Sequence, residues 1–146
     1  MSEFRQLTGD FWASPQIALD DVDAAKTRGF ALIVNNRPEG EADDQVPGDR
    51  IEAAAGAAGL GYVAIPVTHA GFSEEQVRAM AEALERSEGP VLAYCRSGTR
   101  STLLWALARA SLGDDPRTLA DQAAQAGYDL ASIRPLLDML AARHGA

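Results

Sequence analysis

The chain has a single cysteine among its 146 residues, so no disulfide can form within it. That excludes the disulfide-stapled small scaffolds and fits a reducing compartment. Histidine is almost as scarce. His69 and His144 stand far apart in sequence, which leaves no recognisable zinc-ligand spacing and no expectation of a metal or cofactor. Positive charge is in deficit: 13 Lys and Arg against 21 Asp and Glu give a net charge of −8. Nucleic-acid binding needs clustered cations, so that class is set aside. An acidic surface gives an anionic substrate no long-range help, so any anion site has to be local. No apolar run approaches the length that crosses a bilayer. The first residues, Met1 to Arg5, carry no basic segment followed by an apolar core. The expectation is a cytoplasmic protein with no membrane partner. The hydrophobic share of 47% and charged share of 23% are ordinary for a globular chain.

Short apolar runs alternate with helical periodicity, which predicts an α/β fold with parallel strands in a single domain over 1–146. Phe11 to Ser14 reads as a short first strand. Asp20 to Arg28 reads as a helix closed by Gly29. Phe30 to Asn35 is a continuous apolar run, as expected of a strand buried on both faces. After an acidic loop, Gly48 to Ala58 is a helix ended by Gly59. Tyr62 to Ile65 then reads as a second buried strand, stopped by Pro66. Ser73 and Gln76 have capping-box spacing and open the next helix. Val91 to Tyr94 is the last strand. Ser101 to Leu112 is a helix with almost no polar face, which predicts a central, covered position. Two more helices follow Asp114-Asp115-Pro116. On the last, Ile133, Leu136, Leu137 and Leu140 form a stripe that fits either the sheet or a second subunit, so a homodimer is an open expectation.

The chemistry concentrates where the last strand runs through six loop residues, Cys95-Arg96-Ser97-Gly98-Thr99-Arg100, into that apolar helix. Ligands of α/β sheets bind outside the carboxyl ends of the strands. Gly98 lets the loop turn backbone N–H groups inward, and the helix adds the positive end of its dipole. A thiol in such a setting ionises readily and becomes a nucleophile. Arg100 offers a planar set of donors to an oxyanion. Ser97, Thr99 and Ser101 can add hydroxyl hydrogen bonds, and Arg96 can face solvent or steer substrate. Most free cysteines are merely small buried hydrophobes. A Cys at a strand end, with Gly and Arg following before a buried helix, is a far rarer pattern.

Tyr94-Cys95-Arg96-Ser97-Gly98-Thr99-Arg100-Ser101 resembles the loop of the rhodanese sulfurtransferases and that of the tyrosine and dual-specificity cysteine phosphatases. Over nearly the whole chain the closer resemblance is to the small bacterial beta-lactamase hydrolase-like, phosphatase-like family, also described as sulfur transferases. Its carrying segments are Ser14 to Ile17, Val34 to Glu41, Ile65 to Val67, Gly89 to Ser101 and Ala126 to Leu130. The resemblance implies a three-layer sandwich: a mostly parallel sheet of four or five strands with helices on both faces, as in cysteine phosphatases. It also brings Arg37 and Glu41 to the edge of the sheet where Cys95 lies, to orient the loop or line its pocket. Tyr94 stands where many such phosphatases carry His.

Two features bear on the reaction. Four residues separate Cys95 from Arg100, whereas the phosphatases place five between theirs, so this cradle is tighter and resembles rhodaneses more closely. Phosphate ester cleavage also needs a proton for the leaving oxygen. The loop expected to supply it, Pro66 to Phe72, has no Asp or Glu; His69 is its one candidate acid or pocket residue. Both features lean toward a sulfurtransferase that passes sulfane sulfur from thiosulfate or a persulfide through a Cys95 persulfide. The alternative is a cysteine phosphatase acting on a phosphate ester through phosphocysteine. A third reading is a redox-sensing or binding module, with Cys95 oxidised reversibly.

Overall fold

The computed structural model describes residues 3–145. Met1, Ser2 and Ala146 lie outside the described residues, and with the first two goes part of the start read above as lacking a signal segment. Along the chain the elements are β1 (Arg5–Thr8), β2 (Phe11–Ser14), α1 (Leu19–Thr27), β3 (Leu32–Asn35), α2 (Gly48–Ala57), β4 (Gly61–Ala64), α3 (Glu74–Arg86), β5 (Val91–Tyr94), α4 (Thr99–Ser111) and α5 (Pro116–Gln125). A short 3₁₀ turn, Ala131–Ile133, then leads into α6 (Arg134–His144). The strands form one five-stranded sheet in the order β1-β2-β5-β3-β4. The β2–β5, β5–β3 and β3–β4 pairs are parallel, and only β1 runs antiparallel, against β2.

Alternation along the strands divides the interior into two cores. Val91, Ala93 and Val34 face one side, under α3, α4 and α6. Leu92, Tyr94 and Ile33 face the other, against Val22, Ala25, Ile51 and Ala55 of α1 and α2. Strand β5 lies in the middle, and all four of its residues are buried. Helix α4 is the buried axis of the first core. Leu104 through Ala108 are all inaccessible, and the Trp105 ring stacks on Phe11 at 5.4 Å between centroids.

The capping box at Ser73 forms as its spacing predicts. Gln76 N–H donates to Ser73 Oγ at 3.1 Å, and Ser73 N–H donates to Gln76 Oε1 at 2.8 Å. Two expectations need correction. The strand read over Tyr62 to Ile65 is the edge strand Gly61–Ala64, and none of its residues is fully buried. Its apolar composition is that of an inner strand, but β4 has a single neighbour, β3. The first strand is also not the first: β1 precedes it, and its polar Arg5-Gln6 start gives no apolar signal.

Removing the Leu107 side chain from the inaccessible face of α4 is expected to cost about 2–5 kcal/mol. In urea denaturation, Leu107→Ala should lower the midpoint while leaving the slope unchanged.

Candidate active site

Cys95 follows the central strand directly and is fully buried. Its backbone N–H donates to the Ser14 carbonyl at 3.3 Å, which continues the β2–β5 ladder one residue past its end. The chain then turns within Arg96-Ser97-Gly98 and enters α4. Gly98 makes this turn possible, since it stands at the helix N-cap with φ of +91°, in the left-handed region that side chains disfavour. A Cβ there would also collide with the Tyr128 hydroxyl and approach the Ser14 carbonyl carbon to 3.3 Å. In return, the Gly98 N–H points at Cys95 and donates to Sγ at 3.1 Å. The Gly98 carbonyl accepts from both Thr102 N–H and Thr102 Oγ1, at 3.0 and 2.8 Å, which fixes the first turn of α4. The start of the helix is thus aimed at the sulfur.

Ser97 and Thr99 are exposed and bond to each other: Ser97 Oγ donates to Thr99 Oγ1 at 3.0 Å, and Thr99 N–H donates to Ser97 Oγ at 3.3 Å. Arg96 is exposed, and its carbonyl accepts from Gln16 N–H at 3.2 Å. Ser101 is fully buried, and its Oγ has no partner among the described residues. The same holds for Asn36 Oδ1, on the residue after β3.

Arg100 is committed more deeply than its sequence position suggests. Nη1 donates to Glu41 Oε2 at 2.8 Å and to the Val67 carbonyl at 2.7 Å, while Nη2 donates to Glu41 Oε1 at 2.8 Å. Three of a guanidinium's five hydrogens are thereby used. The two left, on Nε and Nη2, lie along one edge and can still grip an oxyanion with two parallel bonds. The planar set of donors expected of Arg100 is thus reduced, on the side away from Glu41 and Val67, to this single edge. Cys95 is among the groups that raise the pKa of Arg100, after the Glu41 hydrogen bond, so sulfur and guanidinium feel one another.

Glu41 accepts from a second guanidinium. Arg37 Nε donates to Oε1 at 2.9 Å, and Arg37 Nη1 donates to Gln16 Oε1 at the same distance. The Arg37 backbone is itself pinned, its N–H donating to Asn35 Oδ1. A closed circuit results: Gln16 holds the Arg96 carbonyl with its N–H and Arg37 with its side chain, Arg37 holds Glu41, and Glu41 holds Arg100. Both ends of the Cys95 loop are tied through it. Two guanidinium charges against one carboxylate leave one positive charge beside the sulfur. The Arg100 hydrogen bond, outweighing partial burial and helped by Arg37, lowers the Glu41 carboxyl from 4.5 to about 2.

His69 lies two residues past Val67, on the exposed part of the loop that borders Arg100. Tyr94 points the other way, into the second core, where burial pushes its phenol pKa well above the usual range. The residues missed by sequence reasoning are Gln16, the Val67 carbonyl and Tyr128. Tyr128 is buried behind the loop; its hydroxyl donates to the Ser97 carbonyl at 3.3 Å, and the Arg5 guanidinium lies 5.3 Å from the centre of its ring.

A parallel sheet whose central strand delivers a cysteine into a glycine-turned loop, closed by an arginine at a helix start, defines a cysteine-phosphatase-like α/β protein. The comparisons with known proteins agree. The family model of the beta-lactamase hydrolase-like protein, phosphatase-like domain, matches residues 3–112, and the chain belongs to that family. A beta-lactamase hydrolase-like protein of Agrobacterium fabrum is 36% identical over 125 residues, 85% of this chain. This chain spans only 28% of that relative's length. A crystal structure from Neisseria meningitidis, provisionally described as a phosphatase, is 32% identical with a TM-score of 0.80, covering 93% of this chain and 96% of that one. The P. aeruginosa TpbA structure in complex with phosphotyrosine shares the fold at 18% identity and a TM-score of 0.66, covering 97% of this chain and 90% of that one.

Two outcomes follow from the circuit. Gly98→Ala combines left-handed strain with the Tyr128 collision and should lower the thermal midpoint; adding Tyr128→Phe should recover only part of the loss, since the strain remains. Glu41→Gln removes charge-assisted bonds to two guanidiniums and should cost about 2 kcal/mol near neutral pH. Because folding lowers the Glu41 pKa, its contribution is complete above about 4.5 and is lost as pH falls toward 2. In acid titrations followed by circular dichroism, the gap between wild type and Glu41→Gln should therefore close across that interval.

Proposed function

We propose that this chain is a cysteine-dependent phosphoryl-transfer enzyme working through a Cys95 phosphocysteine. The observation that carries the reading is the pairing of Cys95 Sγ, bonded to Gly98 N–H at the start of α4, with an Arg100 that is fixed by Glu41 and has one donor edge not taken by Glu41 or Val67. The Cys95 thiolate attacks phosphorus, forming the S–P bond as the P–O bond to the leaving group breaks and its oxygen departs with the bonding pair, while Arg100 and the loop N–H groups hold the phosphoryl oxygens. Water then hydrolyses the phosphocysteine. Arg37 and Glu41 act on Arg100 as positioning residues, Ser97, Thr99 and Ser101 offer hydroxyls around the loop, and Arg96 faces incoming substrate. The family match and the phosphatase relative support this reading over the sulfur transfer that loop length and the missing acid had favoured.

Sulfur transfer keeps one specific support. The four residues between Cys95 and Arg100 make a cradle one residue shorter than the phosphatases use, which suits a terminal sulfur on the cysteine. Reversible oxidation of Cys95 is disfavoured as a primary role, because a built anion site has no use in it.

Intact-protein mass spectrometry after thiosulfate, paired with an aryl phosphate assay, separates the readings. The expected result is phosphate release abolished in Cys95→Ser and lowered at least ~100-fold in Arg100→Ala, with no sulfur gained by the wild type. A sulfur atom loaded on Cys95 and removed by cyanide, without phosphate release, would replace phosphoryl transfer by sulfur transfer.

A further inference from the structure

The proton supply of the site narrows its substrates. Breaking a P–O bond to an alkoxide or an ordinary phenoxide calls for a general acid near the leaving oxygen. The carboxylate at the Cys95 loop is Glu41, and both its oxygens are occupied by guanidinium hydrogens, Oε1 by Arg37 and Arg100 and Oε2 by Arg100. A carboxylate so held has no proton to give. Glu39 is engaged elsewhere, accepting from Gly48 N–H at the start of α2. Asp43 and Asp44 are exposed, and no hydrogen bond among the described residues aims either one at the Cys95 loop. The loop that borders Arg100 through the Val67 carbonyl has no carboxyl group from Pro66 to Phe72, and His69 is exposed with no hydrogen bond among the described residues to aim its ring.

We infer that the site takes phosphoryl donors whose leaving group departs as a stable anion without a proton, acyl phosphates above all, in preference to phosphomonoesters of serine, threonine or tyrosine. The inference rests on the phosphoryl-transfer reading. In the first step the Cys95 thiolate forms the S–P bond as the P–O bond to the acyl oxygen breaks. The carboxylate leaves with the bonding pair, and no proton moves. In the second step water adds to phosphorus, the S–P bond breaks, the thiolate is restored, and the water's proton leaves with inorganic phosphate or into solvent. The single positive charge left by Arg37, Glu41 and Arg100 suits the dianionic group throughout.

The test is a leaving-group series. kcat/KM is measured for aryl phosphates from acidic to weakly acidic phenols, with acetyl phosphate and a phosphotyrosine peptide alongside. The covalent adduct formed from acetyl phosphate is identified by intact mass, which separates a phosphorylated from an acetylated cysteine. The expected result is a fall of at least ~100-fold along the aryl series, the size of a missing general acid. Acetyl phosphate should turn over through phosphocysteine, and the peptide should be the poorest substrate. A flat series with efficient phosphotyrosine cleavage would overturn the inference while leaving phosphoryl transfer intact. So would a shallow series that steepens in His69→Ala, which would identify His69 as the acid. No turnover and no phosphocysteine with any donor would instead sink the phosphoryl-transfer reading, and the inference with it.

Discussion

The fork between Arg100 and Glu41 is the contact on which the site depends. An arginine at the first turn of a helix has several rotamers open to it and, left alone, would spread over solvent. Here its end is clamped by a carboxylate 59 positions away in sequence, with the Val67 carbonyl closing the side. The clamp uses three donors and leaves the other two on a defined edge. The entropic cost of ordering the guanidinium is met in folding, so under the proposed phosphoryl transfer the incoming anion meets a donor pair already in place. Arg37 keeps this arrangement from neutralising itself. A lone Arg–Glu pair would present no net charge, whereas the second guanidinium restores one positive charge in a chain of net charge −8.

The sheet order explains why such distant residues meet. β5 is flanked by β2 and β3, so the segments that follow these three strands leave the same edge side by side. Gln16 comes after β2, Arg37 and Glu41 after β3, and the Cys95 loop after β5. Val67 comes after β4 on the far side of β3. The circuit is thus a consequence of parallel strands ending together, and each of its members lies within a few residues of a strand end. The antiparallel β1 lies at the opposite side of β2 and contributes Arg5, which reaches the Tyr128 ring.

The parts of this picture that were legible in the sequence are those with strong local signals. The all-apolar run around Val91 and the unbroken apolar face of α4 fix the middle of the fold. Ser73 and Gln76 announce their helix start, and a Cys, Gly and Arg before a helix announce the loop. What escaped is relational. Whether Tyr62 sits in an inner or an edge strand depends on the neighbours of β4, not on its residues. Gln16 looks like any polar loop residue until β2 and β5 are side by side. Arg37 and Glu41 were drawn toward the site by resemblance, but the sharing of one carboxylate between two guanidiniums emerges only from the tertiary arrangement.

The prop behind Gly98 has a consequence for where this unit can be cut. The match of the family model ends at Leu112, yet Tyr128 stands beyond it, as does the α6 side chain of Leu137 that packs in the same core as α4. A boundary drawn where that match ends would remove the rear wall of the cysteine loop and lay open its supporting helix. Transplanting this loop into another scaffold, or trimming the chain for a fusion, therefore has to carry α5 and α6 along as architecture of the site itself.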